Sequence, residues 1–298
     1  MADIDSLWDY DDPAGTEQRF RALLPECADD AQRAEALTQI ARTFSLRRRF
    51  DDAHRTLDEA NSLITNNRSR PYLRYLLERG RTFNSAGQRE RASELFVQAW
   101  DLAREIGEEN LAVDAAHMLA ISEPAERQLE WNLRALDYAE QARDPRARDW
   151  LGSLYNNLGW TYHEAGEYAK ALDLFERAVK FREAKGQATP LRIAHWCVAR
   201  CLRSLGRIEA ALALQRRLLA ELQTSGGSDG YISEEIGECL LALSRTDEAR
   251  PYFAQAYALL SQDAWLAESE ARRLERLKQL ADSERFPPPS AAGEPQSS

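Results

Sequence analysis

The chain has 298 residues, 44% of them hydrophobic, which is enough apolar material to bury a core. Its net charge of −10 argues against bulk affinity for nucleic acid or anionic membrane, although a local basic groove stays open. No apolar run approaches the ~18 residues of a membrane span, and the opening Met-Ala-Asp-Ile-Asp-Ser-Leu-Trp has neither the basic nor the apolar stretch of a signal peptide.

Residues 1–33 read as an acidic N-terminal segment with a capping helix. The segment carries the aromatic and acidic run Leu7-Trp8-Asp9-Tyr10-Asp11-Asp12, and residues 13–24 predict the extra helix. From 34 to 261 one pattern returns six times. A small residue opens each copy: Ala41, Gly80, Ala116, Gly159, Ala199 and Gly237. Three places later stands a large apolar one: Phe44, Phe83, Leu119, Tyr162, Leu202 and Leu240. Twelve places after the small residue come Ala53, Ala92, Gln128, Ala171, Ala211 and Ala249, at intervals of 39, 36, 43, 40 and 38. Four beyond each of these are Leu57, Phe96, Asn132, Phe175, Gln215 and Phe253, and three further on Ala60, Ala99, Ala135, Ala178, Leu218 and Ala256.

Offsets of three, four and seven share one helical face, so each copy predicts two amphipathic helices. Gly87, Gly166 and Gly206 mark the turn between them in three copies, as a helix C-terminal glycine should. In the third copy Pro124 is placed to start the second helix. One pair cannot bury its apolar face, so the pairs must stack. Residues 225–230 read as an inter-repeat loop, 262–283 as a C-terminal capping helix with a charged face, and 284–298 as a disordered, proline-rich tail.

The small/aromatic/Ala/Phe/Ala set resembles the tetratricopeptide repeat family over about residues 34–260, most closely in the second, fourth and sixth copies. Gln128 and Asn132 of the third copy and Gln215 of the fifth depart from it. The resemblance implies an all-α, right-handed α-solenoid of about six helix pairs. Intervals near 40 make it similar to the long repeats of kinesin light chains and bacterial peptide-sensing arrays.

No catalytic signature survives inspection. His163-Glu164 begins an HExxH pattern that Ala165-Gly166-Glu167 does not complete, and there is no nucleophile elbow, P-loop or dinucleotide fingerprint. Cys197 and Cys201, four apart with His195 beside them, could hold a metal on one helix face or simply pack in the core. The core role is the expectation, with no metal and no cofactor. The four cysteines, Cys27, Cys197, Cys201 and Cys239, lack a CxxC spacing, which points to a reduced, cytoplasmic setting.

In the resembled family the first helices line a concave surface. The positions implied to face it follow the small residue by one (Arg42, Arg81, His117, Trp160, Arg200, Glu238) or by four (Ser45, Asn84, Ala120, His163, Arg203, Leu241), or precede it by two (Gln39, Glu78, Asp114, Asn157, Cys197, Glu235). The candidate groove is therefore Arg42, Arg81, Asn84, Asn157, Trp160, His163, Arg200 and Arg203. Arginine forks suit carboxylates, Trp160 is an aromatic anchor, and the resemblance implies that Asn157 pairs with a peptide backbone. These positions imply an extended, acidic protein or peptide ligand, with no nucleic acid and no membrane. Two arrangements of the arginines are open: they await such a ligand, or they pair with Glu78 or Glu235 and solvate the face. The run 7–12 likewise occupies its own groove or a neighbour's, or packs locally on the first helix. The expected function is a non-catalytic adaptor or scaffold; a peptide-sensing regulator and an accessory subunit of an enzyme complex are the alternatives.

Overall fold

The computed structural model describes residues 4–282, the side chain of Ala125 excepted, so residues 1–3 and the tail expected over 284–298 lie outside the described residues. Helix follows helix, with no strand among the described residues. A short 3-10 turn, Ile4–Leu7, leads into α1 (Pro13–Leu23), which Asp12 caps through Gly15 N. The copies follow as pairs: α2 (Asp30–Leu46) with α3 (Phe50–Leu63), α4 (Arg70–Ser85) with α5 (Arg89–Ile106), and α6 (Glu109–Ser122) with α7 (Ala125–Gln141). A short α8 (Pro145–Asp149) fills the longest interval between copies. Then come α9 (Leu151–Glu164) with α10 (Tyr168–Ala184), α11 (Ala188–Ser204) with α12 (Ile208–Thr224), and α13 (Gly230–Ala242) with α14 (Thr246–Leu260). Pro124 stands as the N-cap of α7, outside the helix it introduces.

The final helix divides at Glu270 into α15 (Ala264–Ser269) and α16 (Ala271–Asp282). The break brings Leu266 of one piece and Leu274 and Leu277 of the other into the same core. Two compact units share the chain, Met1–Leu158 and Gly159–Ser298. In the first, α1 packs on α2, α2 on α3 and α4, α4 on α5, and α6 on both α5 and α7. In the second, α10 packs on α11, α12 on α11 and α13, and α14 on α13 and α16.

One close approach recurs within the pairs. A Cβ added to Gly80 would meet Phe96 Cε1 at 2.5 Å; the same is true of Gly159 against Phe175 (2.5 Å) and Gly237 against Phe253 (2.8 Å). Each ring therefore lies directly on the glycine backbone, and all three phenylalanines are fully buried. Where the small residue is alanine, at 41, 116 and 199, the partner sixteen places on is Leu57, Asn132 or Gln215. An alanine methyl would occupy the space the ring takes, so the glycine and the phenylalanine come together or not at all.

The turns show a second constraint. Gly87, Gly166 and Gly206 have φ of 79°, 77° and 74°, in the left-handed region. Arg48 and Ser244 hold the equivalent place in the first and sixth copies at φ 59° despite their side chains. The third copy has Glu123 there at φ −71°, so its second helix starts from an extended turn.

The fifth copy carries an internal cost. Gln215 is fully buried and neither its Oε1 nor its Nε2 has a partner among the described residues. Replacing it by leucine should raise unfolding stability by about 1–3 kcal/mol, read from urea denaturation. Gly80→Ala should destabilise by about 1–3 kcal/mol although alanine is the better helix former. The pair Gly80→Ala with Phe96→Leu should recover part of that loss; additive losses in the double variant would refute the ring-on-glycine account.

Candidate functional site

The first helices of each unit carry polar and aromatic residues on one face. In the first unit α2, α4 and α6 are joined there by two ladders of ion pairs. Glu78 Oε1 accepts from Arg42 Nη1 at 3.3 Å and from Arg81 Nη1 at 2.8 Å, and Arg81 also pairs with Asp114. One helical turn toward the N-termini, Glu35 Oε1 accepts from both Arg70 Nε and Arg74 Nε at 2.7 Å, and Arg70 Nη1 reaches Glu108 Oε2 at 3.1 Å. Burial opposes the charge on Arg81, but the Asp114 and Glu78 carboxylates outweigh it and raise its pKa above the ordinary value. Burial likewise pushes the Asp114 carboxyl up, and Arg81 and Arg42 more than reverse this, holding it below the usual carboxylate range. Two of the predicted arginines are thus already matched by carboxylates of the same chain.

The N-terminal segment lies on these same residues. Asp5 accepts a forked pair from Arg74 Nη2 at 2.7 and 2.8 Å. Trp8 Nε1 donates to Gln39 Oε1 at 2.9 Å. The Arg42 guanidinium stands 5.3 Å from the ring centres of both Trp8 and Tyr10, which stack on each other at 4.9 Å. The segment also packs locally: Trp8 meets the edge of Phe20 on α1, and Asp9 exchanges hydrogen bonds with Thr16 Oγ1 at 3.0 and 3.1 Å. The segment thus lies between α1 on one side and the α2–α4 face of the same chain on the other.

In the second unit Arg203 forks onto Glu235 at 2.8 and 2.9 Å, and Arg200 Nε reaches the same carboxylate at 3.2 Å. Arg200 Nη1 also donates to Ser204 Oγ at 2.6 Å, and Ser204 pairs with His163 Nε2 at 2.9 Å. Trp160 packs against His163 (5.0 Å), Phe175 (5.3 Å) and Trp196 (6.0 Å), and Trp196 against Tyr231 (6.4 Å). Asn84 and Asn157 are half-buried on α4 and α9 of the first unit. Cys197 is buried and its thiol is pushed up to about 12 by burial. Cys201 Sγ donates to the Tyr168 carbonyl at 3.2 Å. Both thus serve as protonated core thiols.

The predicted positions divide accordingly. Arg42 and Arg81 come together with Glu78 and Asp114, and Trp160, His163, Arg200 and Arg203 form a second cluster. Sequence reasoning missed Asp5 and Arg74 in the first unit and Trp196 and Tyr231 in the second. One further helical turn toward the N-terminus of each first helix, six places before the small residue, reaches Arg74 and Tyr231.

Residues 109–184 match the sequence model of the tetratricopeptide repeat. That stretch carries tetratricopeptide repeats. No curated protein matches it in sequence. Among solved structures it is similar to the apo form of RapI, with TM-score 0.73 and 12% identity over 94% of this chain and 79% of that one. It is also similar to a signal transduction ATPase with a tetratricopeptide repeat sensor from Pyrococcus horikoshii, with TM-score 0.69 and 14% identity over 88% of this chain. The likeness spans only 42% of that protein. BtubC from P. vanneervenii is similar at TM-score 0.58 and 18% identity, over 77% of this chain and 94% of that one. At these identities the likeness establishes the fold, an all-α tetratricopeptide-like solenoid. No helix among the described residues is long and apolar enough to cross a membrane.

The repeats bury all four histidines far enough to matter. His54, His117, His163 and His195 all have pKa values lowered first by burial, with nearby arginines adding to the effect. Below pH ~6.5 the unfolded chain binds protons that the folded chain refuses, so stability is full above that pH and declines as pH falls through and below it. The urea midpoint should drop between pH 7.5 and 5.5, and His163→Gln, which keeps a partner for Ser204, should flatten the slope. An unchanged midpoint in the native protein would contradict this account.

Proposed function

We propose that this chain is a non-catalytic peptide-binding adaptor whose first-helix faces take extended segments combining aromatic and acidic residues. The observation that carries the reading is the seating of residues 5–10. A carboxylate meets the fork of Arg74, an indole N–H meets Gln39, and two stacked rings meet the plane of Arg42. These are the chemistries of peptide recognition, executed in cis. Although Glu78 neutralises Arg42, the flat side of its guanidinium still faces the ligand rings. Arg81 holds that arrangement through Glu78 and Asp114. In the second unit Trp160, His163, Arg200 and Arg203 present the same kind of surface, and Asn84 and Asn157 add amides to the faces of the first.

A tethered segment acts at an effective concentration of order millimolar, so a partner using this face must displace it. That makes the chain equally suited to a sensing role, in which a ligand releases the N-terminal segment. The fold it shares with a tetratricopeptide sensor is compatible with such a role. None of the four cysteines is in a disulfide among the described residues, which fits a reducing, cytoplasmic compartment.

The reading is tested with a chain lacking residues 1–12. Arg74 keeps Glu35 and Arg42 keeps Glu78 in that protein, so the face stays folded. It should bind a fluorescent nonapeptide of sequence 4–12 in trans, and Arg42→Ala should weaken binding by about tenfold, the worth of a desolvated cation–π contact. Absence of binding by the folded, truncated chain would overturn the reading.

A further inference from the structure

The second unit contains a cavity of about 430 Å³ lined by Arg192, Ile193 and Trp196 of α11, by Tyr231 and Ile232 of α13, and by Asp229. Three of its features lack an explanation within the fold. The Trp196 indole Nε1–H is buried and has no acceptor among the described residues. Ile193 and Tyr231 are 53% and 38% exposed, although both are large and apolar. Arg192 makes no ion pair among the described residues, unlike Arg42, Arg81, Arg200 and Arg203. Of the carboxylates that share a cavity lining with it, Asp229 caps α13 through Tyr231 N and Ile232 N, and Glu221 pairs with Arg217 at 3.5 Å.

The register of the repeats connects these features to the first unit. Ile193 and Tyr231 stand six places before the small residues Ala199 and Gly237. In α2 and α4 of the first unit the same places are Glu35 and Arg74, and Arg74, paired with Glu35, binds the Asp5 carboxylate. Positions that hold a peptide group in one unit are thus open and apolar in the other.

We propose that this cavity is a peptide-binding pocket for a partner segment in which an apolar side chain stands next to a carboxylate. The inference rests on the peptide-binding reading above. The apolar side chain lies against Ile193, Trp196 and Tyr231, where its burial also covers their exposed surface. The carboxylate meets the Arg192 fork, which has no ion-pair partner among the described residues.

The probe is the nonapeptide Ile-Asp-Ser-Leu-Trp-Asp-Tyr-Asp-Asp, titrated by fluorescence anisotropy into the full chain, whose own segment already covers the first unit's face. Arg192→Glu should weaken binding at least about tenfold, while Arg89→Glu, the same charge change on α5, should not. A peptide with its aspartates changed to asparagine should bind the native chain more weakly, but should lose nothing further on Arg192→Glu. The indole 15N–1H resonance that disappears in Trp196→Phe should shift when the native peptide is added. Equal losses for the amidated peptide on both proteins, an unmoved Trp196 resonance, or no binding by the full chain would overturn the pocket. If the truncated chain still binds the peptide through Arg42, the failure belongs to the pocket alone. If neither protein binds, the peptide-binding reading fails with it.

Discussion

The contact on which the architecture turns is an aromatic ring laid on a bare backbone. At Gly80, Gly159 and Gly237 the two helices of a pair approach until a single methyl would collide with the phenylalanine opposite. That proximity buries a large apolar surface within pairs that have few residues to spare. It also fixes the rotation of these three first helices about their axes, since the glycine side must face its partner. The residues two before, one after and four after the small position then have no choice of direction within the repeat. The recognition surface is a consequence of the packing surface.

On that surface an acidic protein pairs its charged arginines with its own carboxylates. Arg81 sits between Glu78 and Asp114, and Arg203 forks onto Glu235. Such pairs tie one first helix to the next, and their desolvated charges make each ladder intolerant of losing one member, at a cost of about 3–5 kcal/mol. Paired guanidiniums still expose a flat face, and Arg42 shows how it is used, under the stacked rings of Trp8 and Tyr10. Arg74 shows the other use, holding Glu35 and Asp5 at once. Recognition here works through what the ladders leave over rather than through free charge.

The two units put the same repeat register to different ends. In the first, charged positions near the N-termini of α2 and α4 receive the chain's own N-terminal segment. In the second, the corresponding positions are isoleucine and tyrosine, beside an arginine and an indole that have no polar partner among the described residues. A repeat protein can vary these places freely because the packing residues lie elsewhere in the period. The same freedom explains why Gln215 persists in a core position: one poorly satisfied copy is supported by its neighbours.

Spacing alone determined most of the fold. Offsets of three, four and seven specify two helices per copy, Gly87, Gly166 and Gly206 specify their turns, and six recurrences specify stacking, because each rests on local geometry or on periodicity. The sequence also carries the link between glycine and phenylalanine, though its cause emerges only when the ring is seen against the backbone. What the sequence left undecided was which partner each polar side chain takes. The rows containing Arg42, Arg81, Arg200 and Arg203 were legible, but their pairing with Glu78, Asp114 and Glu235 depends on distances of a few ångströms between helices more than thirty residues apart. The seating of Trp8 on Gln39 and Arg42, and the cavity around Trp196, were equally out of reach. Periodicity follows from a helix's own geometry, whereas partners are chosen by the packing of one helix on another, and only the tertiary structure records that choice.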